Sequence, residues 1–341
     1  MPLPTSAEVG RIFDAAAAGG YALPAVNVTS SQTLNAALQG FADAGSDGIV
    51  QLTVGGGQYW SGPARDAYTG ARAMAAIAHE LAAASPVGIV IHTDHCPPDH
   101  VDDFLRPLLA ASVERAEHGE QPLFHSHMFD GATLPLEENL RLSGELLEQC
   151  RAAGVVLEIE VGVVGGEEDG IGSHDVDPGR LYTTTEELLE VAEALGTGER
   201  GRYLLAATFG NVHGTYAPGH VQLRPAILRD GQDALAAARP GARFQYVFHG
   251  SSGSSEAEIR EAVSYGVVKM NVDTDMQYAF TRAVAGHVLD NWNGVLRVDG
   301  GLGDKSAYDP RAWGRKAETA MGARVARACE DVGSAGHSLW G

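Results

Sequence analysis

The feature that most constrains the fold of this sequence is an eightfold alternation between short apolar segments and segments rich in Ala, Leu and Glu. The apolar segments are rich in β-branched residues and lie at 25–29, 48–54, 88–95, 123–130, 155–164, 203–210, 244–250 and 267–275. The segments with helical spacing are 33–44, 71–84, 99–117, 137–152, 186–194, 224–237 and 255–265. A strand followed by a helix, repeated eight times, predicts an α/β protein with a closed (β/α)8 TIM barrel.

The competing architecture is an open, doubly wound sheet. The first apolar segment is not followed by the G-x-G-x-x-G pattern that is typical of dinucleotide-binding sheets, which favours the closed barrel. Residues before 25 and from about Pro310 onward predict extra terminal helices. We expect residues 1–341 to form a single barrel domain, since such barrels commonly exceed the usual domain length.

Composition excludes several classes of partner. The net charge of −20 argues against binding to a nucleic-acid backbone, which needs a basic surface. The chain has no apolar run of about 18 residues and no basic-then-apolar N-terminal segment, so we expect neither a membrane span nor a secretory signal. Its three cysteines, Cys96, Cys150 and Cys329, are too sparse for a disulfide framework. A reducing compartment, the cytoplasm, is therefore expected.

Polar or ionisable residues follow nearly every predicted strand. They are Asn27, Thr53, His92, Asp94, His95, His125, His127, Asp130, Glu158, Glu160, Asn211, His213, His249, Asn271, Asp273 and Thr274. Barrel enzymes build their sites at the carboxyl ends of the strands. The set as a whole therefore predicts an active site at that rim, although one such residue alone would indicate little.

Three histidines at different strand ends are candidate metal ligands. His95, His213 and His249 would supply three imidazoles with an open fourth position, which is typical of catalytic zinc. Imidazole also suits other divalent metals, so the pattern favours zinc without fixing it. A single buried histidine is more typical of the core. His125 and His127 share one strand face but rank lower, since their strand continues toward the rim.

Asp94 is adjacent to His95, and neighbouring side chains of a regular strand point to opposite faces. Both serve one site only if the strand ends there, and the following Cys96-Pro97-Pro98 is expected to end it. Asp94 would then move a proton or orient an imidazole. The alternative for Asp94 is a turn or N-cap residue, and Cys96 is expected to be a small buried apolar residue.

Glycine- and serine-rich segments suggest an anion site. The segments 211–214, 249–254 and 271–275 follow the last three strands, where barrels often bind phosphate through backbone N–H groups and hydroxyls. The longest irregular stretch, 162–184, leaves the fifth strand and is either a functional loop or a solvated acidic one.

The segments HTDHC, LEIEVGVVGGEEDG, ATFGNVHGTY, VFHGSSGS, YGVVKMNVDTD and YDPR together resemble those of class II fructose-bisphosphate aldolases, in the family's order and spacing. The likeness runs from about residue 27 to the C-terminal helices. It implies reversible cleavage of fructose 1,6-bisphosphate into dihydroxyacetone phosphate and glyceraldehyde 3-phosphate, a lyase reaction of glycolysis and gluconeogenesis. Zinc would polarise the ketone and stabilise an enediolate.

The resemblance also implies residue roles. His95, His213 and His249 correspond to the zinc ligands, and Glu160 to a carboxylate that holds the metal in an alternative position. Asp94 corresponds to the residue that moves the C4 hydroxyl proton. Glu168 corresponds to the base that takes the C3 proton of dihydroxyacetone phosphate.

The remaining implied positions bind substrate or a second ion. The substrate positions are Asn27, Thr53, Gly214, Gly250, Ser252, Asn271, Asp273, Thr274 and Arg311. Arg311 is similar to a residue that enters from a neighbouring subunit, which implies a homodimer or homotetramer. The family also commonly uses a monovalent cation, Na⁺ or K⁺.

The sequence departs from the family pattern at two positions, and four alternatives to this function or mechanism remain. Ser251 stands where many relatives have glycine, which is unfavourable if φ is positive there, and Thr53 stands where serine is frequent. The nearest alternative is a tagatose-1,6-bisphosphate aldolase, whose substrate differs at C4 alone. More distant ones are a metal-dependent barrel hydrolase and a non-catalytic protein that binds zinc or a sugar phosphate. A Schiff-base mechanism on Lys269 is the alternative without metal.

Overall fold

The computed structural model describes residues 3–168, 171–172, 178–213, 222–296, 301 and 303–340. At 166–168, 171–172, 178–179 and 213 it describes the backbone alone. Eleven strands lie within these residues: β1 Leu23–Asn27, β2 Gly48–Leu52, β3 Ile89–Cys96, β4 Ser126–Phe129, β5 Val156–Val161, β6 Gly165–Glu168, β7 Ile171–Gly172, β8 Tyr203–Ala207, β9 Val212–His213, β10 Tyr246–Phe248 and β11 Val267–Asn271.

Eight of these strands close into a parallel barrel in the order β1-β11-β10-β8-β5-β4-β3-β2. Each of the eight falls on one of the predicted apolar segments, so the (β/α)8 prediction is confirmed and the open sheet is wrong. Parallel strands require crossover connections, which the intervening helices supply.

Helices α2 and α4 to α9 fall on the predicted helical segments, α1 and α13 are the expected terminal helices, and α3, α10, α11 and α12 lie outside the segments predicted to be helical. They are α1 Ser6–Gly19, α2 Ser31–Ala44, α3 Val54–Trp60, α4 Ala67–Ala82, α5 Arg106–Glu117, α6 Leu136–Ala153, α7 Thr185–Leu195, α8 Ala226–Ala238, α9 Glu256–Ser264, α10 Thr274–Asp290, α11 Trp292–Val295, α12 Lys305–Tyr308 and α13 Pro310–Asp331. Local sequence fixes several of their ends. Thr184 and Glu187 form a capping box before α7, as Ser255 and Glu258 do before α9. Gly154 ends α6 with a positive φ of 70°.

The amino-terminal end of the barrel is filled by apolar side chains. Val9, Ile12 and Phe13 of α1 pack in one cluster with residues near the strand starts, among them Leu23 and Ile49. A second cluster fills the space between the strands and the outer helices. Burial of this kind is the main stabilising contribution to such a fold. Because apolar side chains fill the amino-terminal end, the interior of the barrel has room for a polar site only near the carboxyl ends of the strands.

A small second sheet extends the rim beyond the barrel. β6 pairs with β7 in antiparallel fashion and with β9 in parallel fashion, so the order is β7-β6-β9. The expectation that 162–184 is wholly irregular is therefore wrong for Gly165–Glu168 and Ile171–Gly172. The backbone of Gly166 is in register with that of His213, so the two chain segments that follow β5 and β8 meet above the barrel.

Among the described residues, no helix combines the length and the apolar character that a bilayer span requires.

Cys96, Cys150 and Cys329 are all buried free thiols, and burial raises the pKa of each. The expectation that Cys96 is a small buried core residue is confirmed.

His125 and His127 belong to the packing between strand and helix rather than to a metal site. The Nδ1 atom of His125 accepts a hydrogen bond of 2.8 Å from the N–H of Ile91, and its ring lies against that of His79. His127 Nδ1 lies 2.8 Å from Thr93 Oγ1. Burial lowers the pKa of both rings from 6.5 to about 3. Both rings are therefore neutral core residues.

These two rings give a prediction for stability against pH. Because the unfolded chain binds protons below pH 6.5 and the folded rings do not until about pH 3, acidification in that window favours unfolding. Together they should lower the free energy of unfolding by about 4 kcal/mol between pH 7 and pH 5. Denaturant unfolding in excess chelator measures this. His125→Asn and His127→Asn keep an atom at the Nδ1 position and should flatten the pH slope, whereas His118→Asn, at an exposed site, should not.

Candidate active site

A bulge near the end of β3 brings Asp94 and His95 to the same site. Thr93 is in register with His127 and Cys96 with Phe129, so β3 has one more residue than β4 across this stretch. His95 adopts a φ of +31°, a value that residues other than glycine rarely have. The expectation that Cys96-Pro97-Pro98 ends the strand is confirmed, since β3 ends at Cys96, one residue beyond His95. The bulge, not a strand end, removes the strict alternation of side chains.

His95 and His249 face each other across the rim, with His95 Nε2 3.0 Å from His249 Nδ1. Carboxylates fix both tautomers, because a carboxylate only accepts hydrogen bonds. His95 Nδ1 donates to Asp130 Oδ2 at 3.0 Å, and His249 Nε2 donates to Glu158 Oε1 at 2.7 Å. The two nitrogens that face each other thus both present lone pairs, and His249 Nδ1 also lies 3.0 Å from Asn271 Nδ2. A cation between them would suit this pair.

Further oxygen atoms surround these imidazoles. Asp94, His95 and His249 each offer one ligand atom, and these atoms lie within 4.8 Å of one another. His95, Asp130 and Glu160 form a second such group, with Glu160 Oε2 3.9 Å from His95 Nδ1. Burial lowers the pKa of His249 well below its ordinary value, which keeps the ring in the neutral form that binds metal. Asp130 was noted in the sequence only as a polar residue, and its link to His95 required the folded geometry.

Asp94 is fully buried and held by two amides. Gln51 Nε2 donates to Asp94 Oδ2 at 2.8 Å, and Asn271 Nδ2 lies 3.0 and 3.1 Å from the two carboxylate oxygens. Burial raises the pKa of Asp94, but its electrostatic interactions with His95 and Lys269 outweigh that effect, so the pKa lies below its ordinary value. The carboxylate is therefore ionised and oriented beside the imidazoles, as a proton acceptor must be.

Gln51 is a site residue that the sequence analysis missed. It also donates to Asn27 Oδ1 at 2.6 Å, so it connects two of the expected site residues. A signal was available, because Gln51 is a polar residue inside an otherwise apolar strand. It has the same parity as Ile49, which points into the barrel.

The loop after β10 approaches the rest of the rim closely. Gly250 has a φ of +60°, and a Cβ atom there would lie 2.6 Å from the backbone of Val212, so only glycine fits. Ser251 has no positive φ, so the expected strain is absent. Its Oγ donates to the carbonyl of Asn271 at 2.6 Å. Ser252 is buried in the same loop.

The other expected substrate residues lie at helix starts. Thr53 is the N-cap of α3 and accepts from the N–H of Gly56 at 3.0 Å. Asp273 is the N-cap of α10 and Thr274 its first residue; Asp273 accepts a hydrogen bond of 2.7 Å from Gln277. Helix N-termini favour anions, which suits a phosphate group beside both.

Several expected residues are not brought into the site by the described atoms. The side chains of His213 and Glu168 and the whole of Gly214 lie outside the described residues, although the backbones of His213 and Glu168 border the rim in β9 and β6. Arg311 lies at the start of α13, where its side chain is 82% exposed and paired with Asp309 at 2.6 Å. Within one subunit it points to solvent.

The Ser251 contact gives a second prediction. Ser251→Ala removes the hydrogen bond that holds the loop to the end of β11, at a cost of about 1 kcal/mol. If the loop binds phosphate, KM for the substrate should rise about threefold to tenfold while kcat stays within about twofold. Steady-state kinetics measure both constants, and Ser254→Ala in the same loop is the matched control. A wild-type KM in Ser251→Ala would contradict the role of this contact.

Comparison with known proteins gives a consistent result. Residues 7–337 match a family model described as fructose-bisphosphate aldolase class-II. The chain is 55% identical over 342 residues to a fructose-bisphosphate aldolase of Streptomyces galbus, covering 99% of this chain and 100% of the relative. It is 53% identical to one from Mycobacterium tuberculosis, covering 99% of both. The crystal structure of a fructose-bisphosphate aldolase from Campylobacter jejuni superposes with a TM-score of 0.85 at 37% identity, covering 98% of this chain and 96% of that one.

Proposed function

Because this chain belongs to the class II fructose-bisphosphate aldolase family, we propose that His95, His213 and His249 hold its catalytic metal and that this metal is zinc. The protein is a metal-dependent lyase that cleaves fructose 1,6-bisphosphate reversibly. The observation that carries the zinc proposal is the 3.0 Å approach of two imidazole nitrogens whose protons are both directed elsewhere. When bound, zinc would polarise the substrate ketone as a Lewis acid.

The chain's own residues would divide the proton transfers. Asp94, fixed by Gln51 and Asn271, would take the C4 hydroxyl proton during cleavage and return it during condensation. Glu168 would move the C3 proton of dihydroxyacetone phosphate. Two carboxylates are required because the two protons leave different atoms.

The two ends of the substrate would be held by separate parts of the rim. Gly214, Gly250, Ser252, Asp273 and Thr274 would bind the phosphate of the ketose half, with Asn271 near the reacting carbons. At the other end we place Asn27, Thr53 and Arg311. Helix starts at Thr53 and Thr274 and the close-packed turn at Gly250 support this arrangement. A monovalent cation, Na⁺ or K⁺, would lie near the ketose phosphate.

A homodimer or homotetramer would complete the site, with Arg311 entering from the neighbouring subunit. Its exposed side chain supports this, as do the exposed apolar side chains of Tyr278, Leu289 and Trp292 on α10 and α11. Sedimentation of the purified chain tests the assembly, and a monomeric mass would contradict it. The buried free cysteines support a cytoplasmic location.

The Glu168 proposal and the substrate preference are tested together. Glu168→Ala should slow exchange of the C3 proton of dihydroxyacetone phosphate with solvent by about 10²-fold or more, because that exchange needs the base but no cleavage. Glu167→Ala, at the preceding residue, is the matched control. Unchanged exchange in Glu168→Ala would remove it as the base. Cleavage rates with fructose and tagatose 1,6-bisphosphate side by side decide between the two sugars.

A further inference from the structure

Lys269 lies on β11, is one of three lysines in the chain and is 1% exposed. Its Nζ atom lies 2.9 Å from Glu158 Oε2 and 2.8 Å from Asn271 Oδ1, with Asp94 Oδ1 3.9 Å away. A buried ion pair contributes little net stability, since desolvation of both charges offsets their attraction. We therefore expect the buried Lys269–Glu158 pair to have a role other than stabilising the fold.

The ammonium fixes the direction of the Asn271 amide. An ammonium only donates hydrogen bonds, so Asn271 must present its oxygen to Lys269. The amide nitrogen is then directed at Asp94, 3.0 Å away, and at His249 Nδ1, also 3.0 Å away. Without Lys269 the amide could rotate, and its oxygen would then face the Asp94 carboxylate and repel it.

The same ammonium fixes the carboxylate that orients His249. Glu158 Oε1 accepts from His249 Nε2 at 2.7 Å, while Lys269 holds the carboxylate through both oxygens, at 2.9 and 3.1 Å. Partners that fix a ligand's tautomer commonly contribute tenfold to a hundredfold to metal affinity or activity. His92, Asp94 and Glu158 also lie close enough to hold an ion, but the ammonium beside Glu158 already supplies the positive charge there.

We propose that Lys269 is a positioning residue for the aldolase reaction. Through Glu158 it aligns His249 with the metal, and through Asn271 it aligns Asp94 for proton transfer. It does not touch the substrate and forms no Schiff base, because its amine is held by two acceptors. The inference rests on the zinc site proposed above.

The test compares Lys269→Met with Lys316→Met, a control on the exposed face of α13. Lys269→Met should lower kcat about tenfold to a hundredfold with KM within about threefold, and should release zinc to a chromophoric chelator about tenfold faster. Unfolding of the chelator-treated proteins provides a readout that is independent of activity. Equal kcat and equal zinc release in the two variants would overturn the proposal.

A double variant separates positioning from simple charge balance. Glu158→Gln with Lys269→Met removes both buried charges, and the glutamine oxygen can still accept from His249. We expect folding and zinc retention close to wild type, but kcat still about tenfold low because nothing donates to Asn271 Oδ1. A double variant with wild-type kcat would show that Lys269 only neutralises Glu158. If Lys269→Met alone does not fold, the double variant still distinguishes positioning from charge balance.

The zinc proposal is tested on the wild-type protein alone, by chelation. Its failure is therefore distinguishable from a failure of the Lys269 variants to behave as expected.

Discussion

Asp94→Ala is expected to lower kcat for fructose 1,6-bisphosphate cleavage by about 10²–10⁴-fold while zinc remains bound, because a positioned acid or base contributes about that much. Asp94 is buried and ionised, and it accepts hydrogen bonds from the amides of Gln51 and Asn271. The N–H groups of His95 and His249 donate to Asp130 and Glu158 instead. Steady-state cleavage coupled to triose-phosphate detection gives kcat, and metal analysis of the purified variant gives zinc per subunit.

The matched control for Asp94→Ala is Asp99→Ala, since Asp99 is an exposed aspartate five residues further along the chain. It should keep wild-type kcat. Proton exchange at C3 of dihydroxyacetone phosphate should also persist in Asp94→Ala, because that step is assigned to Glu168. Loss of zinc from Asp94→Ala would contradict the proton-transfer role and make Asp94 a structural partner of the metal site.

Complete metal removal is expected to reduce cleavage by about 10³-fold or more, and added Zn²⁺ should restore it. The Lewis acid supplies several kcal/mol of stabilisation to the developing negative charge, and about 1.4 kcal/mol corresponds to a factor of ten. Thermal unfolding should shift to lower temperature in chelator, because a ligand that binds only the folded state stabilises it. Adding Co²⁺ or Fe²⁺ in place of Zn²⁺ tests which metal the site favours.

His249→Ala is the corresponding variant, and added zinc should not restore its activity. Its ring supplies one of the two facing nitrogens. His118→Ala, at an exposed histidine, is the control and should respond to chelation and zinc as the wild type does. Cleavage that survives complete metal removal would contradict the metal-dependent reaction and return Lys269 as a candidate Schiff-base residue.

Much of the fold could be predicted because its signals are local. Eight apolar, β-branched segments separated by helical spacing leave few topologies other than a closed barrel. Capping pairs such as Ser255 with Glu258 mark helix starts in the sequence itself. The short sheet of β6, β7 and β9 could not be predicted, because each strand is too short to show a period and the β6–β9 pair joins segments far apart in the chain.

The candidate site, like the fold, could be predicted only in part. Residue types at strand ends pointed to His95, His249 and Asp94 as members of one site, since the carboxyl ends of parallel strands share a rim. Asp94 and His95 lie at one site because of a bulge with a φ of +31° at His95, which no periodicity reveals.

The sequence by itself determined the barrel, the rim that carries the chemistry and the residue types available there, because strand period and residue chemistry are properties of the chain. Only the tertiary structure decided which nitrogens of the two imidazoles face each other, which way the Asn271 amide faces, and that Gln51, Glu158 and Lys269 contact the candidate site residues. Apart from the Lys269–Asn271 bond, which joins residues two positions apart, those choices depend on hydrogen bonds between residues 22 to 177 positions apart, whose geometry exists only after the strands have closed.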